Sequence, residues 1–398
     1  MGLDEKWLTS ADNPPKDGAG VLIHEPLDFA AFSALCPKLD EGVWNPDEAS
    51  FGHGLNSSLK YQVFQLNFEK DQLFWVAKSE TDDDLCRAIS AQGEVSGVVC
   101  TEKLPGLCTQ SAPVSTMETN DVPTDFHINH SVGEQIYTGF RDFFAWKFRG
   151  VRYAAQPKRF EHSTVYKANA TAPISALKAG ADCLQPIGEV REGMSEDCFF
   201  LNIWTPWLPP AGDVPALKLK PVMFYIYGGG FTSGSGKNPN TDGTNIASRG
   251  DVVAVSINYR VSNLGHLNFN DGVHNGNYGL GDIVTALEWV KEHIADFGGD
   301  ASRVTIYGES AGAVAVRALL ASPKAKGLFA TAISQSGPAG LTGNEGGFIS
   351  YYDSLDYDYN TTTTKVLEET DCAGAKDAVE CLRGYNATAL VNLKNVAR

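Results

Sequence analysis

The pentapeptide Gly308-Glu309-Ser310-Ala311-Gly312 has residue types and a spacing that can do chemistry. A β-branched run, Val304-Thr305-Ile306-Tyr307, leads into it, and the small helix formers Ala313-Val314-Ala315 follow. Such a strand–turn–helix lifts a serine hydroxyl above the C-terminal edge of a sheet, where a base and a substrate carbonyl can reach it. With 40 glycines in the chain, the bare pattern arises easily by chance, so its context decides its meaning. Upstream, the apolar run Pro221-Val222-Met223-Phe224-Tyr225-Ile226-Tyr227 ends in Gly228-Gly229-Gly230-Phe231. Glycines after a strand are often only a tight turn. In the same sheet as a serine elbow they suit acyl transfer, which needs backbone N–H donors aimed at the oxyanion of a tetrahedral intermediate. Consecutive glycines let the main chain approach a substrate with no side chain in the way, and Ala311, just after the serine, supplies a further donor.

The elements that must position these residues are legible as alternating strands and helices. Pro221–Tyr227, Asp251–Asn258 and Arg303–Tyr307 read as buried strands, Ala330–Ser334 as the next strand, and Asp282–His293 as an amphipathic helix with Ile283, Ala286, Leu287 and Val290 at helical spacing. Strands apolar on both faces, alternating with helices, predict an α/β fold with a mostly parallel sheet. This texture begins near Ser131 and sets a domain at 131–398. Residues 1–20 are polar and expected to be loose. Residues 21–112 read as short strands between turns, among them Tyr61–Leu66, which alternates with period two, and Leu73–Ala77. Between the two domains, 113–130 is rich in Ser, Thr, Pro, Asp and Asn and reads as a linker.

Composition narrows the class. A net charge of −16 argues against nucleic acid, whose phosphates demand clustered Lys and Arg. No apolar run approaches the length of a membrane span. The 8 cysteines have neither CxxC spacing nor histidine partners, so no zinc site or other metal is expected, and no motif asks for a cofactor. Local cysteine pairs together with Asn-x-Ser/Thr sequons at Asn56, Asn129, Asn169, Asn360 and Asn386 favour an oxidising, secreted or extracellular setting. Against that, Met1-Gly2-Leu3-Asp4 does not open onto an apolar signal core.

Taken in order, the motifs identify a resemblance. Phe148-Arg149-Gly150-Val151-Arg152-Tyr153-Ala154, Ser195-Glu196-Asp197-Cys198, Tyr227–Phe231, Asn258-Tyr259-Arg260, Gly276-Asn277-Tyr278-Gly279, Phe297–Asp300, Val304–Gly312 and Ser334-Gln335-Ser336-Gly337 resemble the type-B carboxylesterase/lipase family, which includes the cholinesterases. The resemblance implies an α/β-hydrolase fold, with Ser310 as nucleophile and Gly229, Gly230 and Ala311 as oxyanion hole. It implies disulfides Cys183–Cys198 and Cys372–Cys381, and structural ion pairs Arg159–Glu196 and Arg260–Asp282. Glu309 is expected to tune the site from beside the nucleophile. The family's tryptophan for a quaternary ammonium would lie on the loop between Cys183 and Cys198. That loop has no aromatic residue here, so a neutral carboxylic ester or acylglycerol is preferred over choline esters. In the first region, Cys86, Cys100 and Cys108, with Cys36 upstream, are spaced like the C-terminal half of a C-type lectin-like domain. That resemblance implies nested bridges, Cys86–Cys100 inside Cys36–Cys108. The tryptophan-containing and calcium-ligand motifs of such domains are absent, which argues against sugar binding. A small disulfide-stapled β-rich module is the expectation, with a glycan or surface partner as the alternative role.

A serine needs a base, and the base needs an acid. In this fold they follow the serine in the order Asp/Glu, then His. All eight histidines, at 24, 53, 127, 130, 162, 266, 274 and 293, precede Ser310. Glu345 comes too soon after the serine to be the family's acid. The expectation is a hydrolase domain incomplete at its C-terminus, with little turnover as this chain. A catalytically silent, esterase-like binding or adhesion protein is the rival reading.

Overall fold

In a computed structural model, residues 20–47, 55–79, 85–119, 121–167, 172–186, 193–209, 219–337 and 354–393 are described. Residues 1–19, Asn169 and Glu345 therefore lie outside the described residues. The chain divides into two compact units, one of residues 1–115, 121–128 and 140–146, the other of 116–120, 129–139 and 147–398. Within the segment 113–130 the backbone forms a turn at Thr124–Phe126 and enters a strand at His127.

The first unit is built on a five-stranded sheet, in spatial order Val21–Leu27, Leu104–Cys108, Leu73–Val76, Cys86–Ser90 and Val95–Val98. Successive side chains of a strand face opposite ways, and the strand Leu73–Val76 obeys this. Phe74 and Val76 pack with Leu22, Leu55, Leu59 and Leu107, while Trp75 packs on the other side with Phe32, Ala88 and the disulfide-bonded Cys36, Cys86 and Cys108. Cys36 is bonded to Cys108, and Cys86 to Cys100. The period-two reading of Tyr61–Leu66 is corrected: its first four residues end the helix Leu55–Phe64. The residues this helix buries are Leu55, Ser58, Leu59 and Gln62, spaced as one helical face. Tyr61 and Phe64 are exposed, so the apparent alternation covered too few residues to separate the two periods.

A charged network is buried in the same unit. Glu41 accepts hydrogen bonds from Arg141 Nη2, Thr109 Oγ1 and the backbone N–H of Ser111, and its side chain is 1% exposed.

The second unit carries a nine-stranded mixed sheet. Its parallel part runs, in space, Val253–Ile257, Lys220–Ile226, Gly299–Glu309 and Thr331–Gln335. The helices Thr244–Gly250, Tyr278–His293 and Ala311–Ala321 connect these strands in sequence. On its other flank, Phe200–Thr205 joins Val253–Ile257 antiparallel. Val222, Phe224, Ile226, Val253, Ile257, Val304 and Ile306 are wholly buried, as two-sided covering of a parallel sheet requires. Ile283, Ala286, Leu287 and Val290 are the buried face of Tyr278–His293. This is the α/β-hydrolase architecture. Among the described residues no helix is long and apolar enough to cross a membrane.

Gly106 lies so close to Phe32 that an added Cβ would overlap its ring. Gly106→Ala is expected to destabilise the first unit by about 1–3 kcal/mol, the range for overpacking a filled core. An unchanged unfolding midpoint in urea would show that the ring gives way freely.

Candidate active site

Gly308 ends the nucleophile strand's pairing with its neighbour, opposite Ile226. Ser310 follows with φ 55° and ψ −120°, and the helix Ala311–Ala321 starts at the next residue. A positive φ is uncommon for any residue with a side chain and is tolerated where the surroundings enforce it. Here both flanking glycines are explained by contact. A Cβ on Gly308 would stand 2.6 Å from the Gly312 backbone and 2.7 Å from the Ile226 oxygen, and a Cβ on Gly312 would run into that same oxygen. The turn is tied down at its apex, where the N–H of Ser310 donates to the Gln335 carbonyl (3.0 Å) and Val314 N–H donates to the Ser310 carbonyl (3.0 Å).

The glycine loop leaves the adjacent strand at the same end of the sheet. A Cβ built on Gly228 would sit 3.1 Å from the Ser310 Cβ and 2.5 Å from the Glu309 backbone oxygen, so only glycine fits beside the serine. Gly229 and Gly230 have φ 114° and 64°. The Gly229 carbonyl accepts from the N–H groups of Thr232 and Ser233 (both 3.1 Å), closing a tight turn. Among the described residues the N–H groups of Gly229 and Gly230 meet no acceptor, and the N–H of Ala311, first in its helix, has none within that helix. Backbone donors therefore stand open beside the serine. That geometry can receive a developing oxyanion.

Side chains not singled out in the sequence hold this loop. Tyr227 and Tyr259 stack at 4.2 Å, and each phenol donates to the other's carbonyl at 2.7 Å. Burial raises both phenol pKa values well above the usual, so each remains a neutral donor. Gln185, two residues past Cys183, clamps Gly234 through its N–H (2.8 Å) and its carbonyl (2.9 Å). Both tyrosines lay inside quoted motifs, but nothing local in the sequence signals that they pair.

The charged residues sort into supports. Arg260 donates to Asp282 through Nε and Nη2 (2.8 Å each), and Asp282 is fully buried and also receives Ser163 Oγ (2.7 Å). Arg159 holds Glu196 in two bonds of 2.9 and 2.7 Å. Arg152 and Asp197 form a third two-bond pair (2.6 and 2.7 Å) that sequence reading did not single out, although each stands in a quoted motif. Cys183 is bonded to Cys198 and Cys372 to Cys381. Glu309 is exposed, with Oε2 3.1 Å from the same Gly228 Cβ position. Of the described sequons, Asn129, Asn360 and Asn386 are exposed and Asn56 is half-buried.

No described histidine bonds to Ser310. His266 ends the short helix Ser262–His266 and meets Phe231 edge-on at 5.2 Å. Burial lowers its pKa to about 4, which leaves the ring neutral near pH 7. His274 bonds Asp271 (2.7 Å), and His130 bonds the Asp296 carbonyl (2.5 Å). Among the described residues no His, Cys, Asp and Glu cluster could hold a metal.

A parallel sheet, a serine on a strand-to-helix turn and a glycine loop beside it define an α/β hydrolase. Residues 133–397 match the carboxylesterase family model, and the chain belongs to that family. It is 40% identical over 201 residues to para-nitrobenzyl esterase of Bacillus subtilis (48% of this chain, 40% of the relative). It is 42% identical over 199 residues to human bile salt-activated lipase (48% and 26%), and 36% identical over 227 residues to mouse neuroligin-2 (53% and 26%). A Geobacillus stearothermophilus carboxylesterase crystal structure superposes with a TM-score of 0.56 at 36% identity, covering 65% of this chain and 52% of that one. The chain thus spans about half or less of the relatives it matches.

Asp282→Asn keeps the shape but leaves the buried Arg260 without its counter-charge, a change worth about 3–5 kcal/mol. A correspondingly lower unfolding midpoint is expected by calorimetry; stability within 1 kcal/mol of the parent, on the order of a surface change, would rule out a net role for the pair.

Proposed function

We propose that the second unit is the first part of a serine carboxylic-ester hydrolase that works through an acyl-serine. Ser310 Oγ attacks the ester carbonyl carbon while its proton passes to a base. The oxyanion is received by the N–H groups of Gly229, Gly230 and Ala311, and the alcohol leaves as the carbonyl re-forms. Water then reverses the sequence and releases the acid. The observation that supports this reading is the close approach of Gly228 to the Ser310 Cβ, which brings the glycine loop next to the serine. Each such donor is worth about 3–4 kcal/mol in the transition state.

The substrate is a neutral small-molecule or lipid ester, since the disulfide loop lacks an aromatic face for a quaternary ammonium. Glu309 adds negative charge near the site, and burial first, then the Glu309 charge, raises the pKa of neighbouring Tyr225. All 8 cysteines are paired, which supports a secreted protein with carbohydrate on its exposed sequons. Residues 21–112 act as an appended disulfide-stapled module. No described histidine meets Ser310, so little turnover is expected of this chain alone.

A second reading, a silent esterase-like binding protein, is favoured by the want of any described histidine at Ser310. Two assays on the 398-residue chain separate them. With p-nitrophenyl butyrate, hydrolysis is expected no faster than for Ser310→Ala; serine-dependent turnover at the level of full-length esterases would refute the missing base. With a fluorophosphonate, slow labelling that Ser310→Ala abolishes supports the hydrolase reading, and no labelling at any concentration supports the silent one.

A further inference from the structure

Apart from the serine elbow, the second unit holds a cavity of about 340 Å³, at the lower end of the range for small-ligand sites. Its floor is apolar and stapled: the Cys183–Cys198 disulfide, Leu184, Phe199 and Leu264. Its charged lining is mainly cationic, formed by Lys158, Arg159, Arg260 and Arg383, with Glu196 the single carboxylate; Gln156 and Ser195 add neutral polar groups. Which of these can still take a partner decides the ligand.

Glu196 is saturated by the two-bond grip of Arg159, whose remaining arm donates to the carbonyls of Leu382 and Tyr385. Arg383 is spent on the Arg159 carbonyl, Glu161 and Glu380. Two of the cations are left. Lys158 is exposed and makes no ion pair among the described residues. Arg260 is 7% exposed, with Nε and Nη2 on Asp282, while its Nη1 has no partner among the described residues. Two residues along the chain from Lys158, Phe160 keeps φ 66°, rare for a bulky residue, and its ring meets that of Phe269 at 5.1 Å. A protein of net charge −16 repels anions in general, so an anion is retained only where donors are built for it.

We propose that this cavity binds a small amphiphilic monoanion, a carboxylate whose short apolar body lies on the disulfide floor and whose head meets Lys158 and Arg260 Nη1. Charge-assisted hydrogen bonds of about 1.5–3 kcal/mol each predict at least a tenfold preference for the ionised head.

The test is calorimetric titration of the 398-residue chain with sodium octanoate, 1-octanol and sodium acetate. Octanoate is expected to bind at least about tenfold tighter than either the neutral alcohol or the short anion. Lys158→Glu, on an exposed residue, should cost octanoate about tenfold or more, with octanol binding and the unfolding midpoint unchanged. Ser310→Ala should leave octanoate binding intact, which places the ligand away from the serine whether or not the hydrolase reading holds. Equal binding of octanol and octanoate, full retention in Lys158→Glu, or loss in Ser310→Ala overturns the proposal.

Discussion

The structure of the site depends on one close approach: the backbone at the start of the helix Ala311–Ala321 pressed against the carbonyl of Ile226 on the neighbouring strand. Both glycines of the pentapeptide answer to it, because a Cβ at either position would meet that oxygen or the facing backbone. Packing a helix so near a strand forces the chain to reverse within a single residue. Ser310 takes up the reversal at φ 55°, ψ −120°, a conformation costing about 1–3 kcal/mol that the pairing around it must offset. The parallel register of Ile226 with Gly308 then determines the rest. Two adjacent strands ending level release their loops side by side, so the glycine loop and the nucleophile become neighbours without any side chain joining them.

Around this backbone feature, several buried polar groups are paired with one another, as interiors favour. Asn258 receives Gly236 N–H (2.8 Å) and donates to the Ala181 carbonyl (2.8 Å), and Asn202 receives Gly150 N–H (3.1 Å). With the Tyr227–Tyr259 clamp and the Arg260–Asp282 pair, these bonds join loops far apart in sequence along one edge of the sheet. Positioning of the open N–H donors thus rests on neutral and paired groups, whose protonation does not change near pH 7: the two phenols are pushed upward by burial and His266 downward.

How far this was legible in the sequence follows the range of each interaction. The buried strands and the elbow are local patterns of apolar, β-branched and glycine residues, and the strand Gly299–Glu309 differs from the expected Arg303–Tyr307 mainly by reaching further at both ends. Tyr61–Leu66 misled because six residues carry too little of either period; Leu59 and Leu55, one and two turns back from Gln62, settle it as a helix. Arg152–Asp197 and the tyrosine clamp arise from contacts 45 and 32 residues apart, and their residue types alone do not announce a partner. Gln185 is the clearest case. A glutamine in a disulfide loop reads as solvated, yet this one is buried and braces the glycine turn.

The same division bears on what the elbow means. The oxyanion donors proposed for it are backbone groups, delivered by strand register and helix start, so any chain that closes these strands acquires them. The base and acid are side chains, and no described histidine meets Ser310. On the proposed reading the two contributions separate: about 3–4 kcal/mol for each donor from the fold, and about 10²–10⁴ in rate for a positioned proton acceptor that the fold does not itself supply. An intact Gly-Glu-Ser-Ala-Gly therefore attests to the packing of a helix on a strand before it attests to catalysis. The chemistry begins only where a base is brought to that turn.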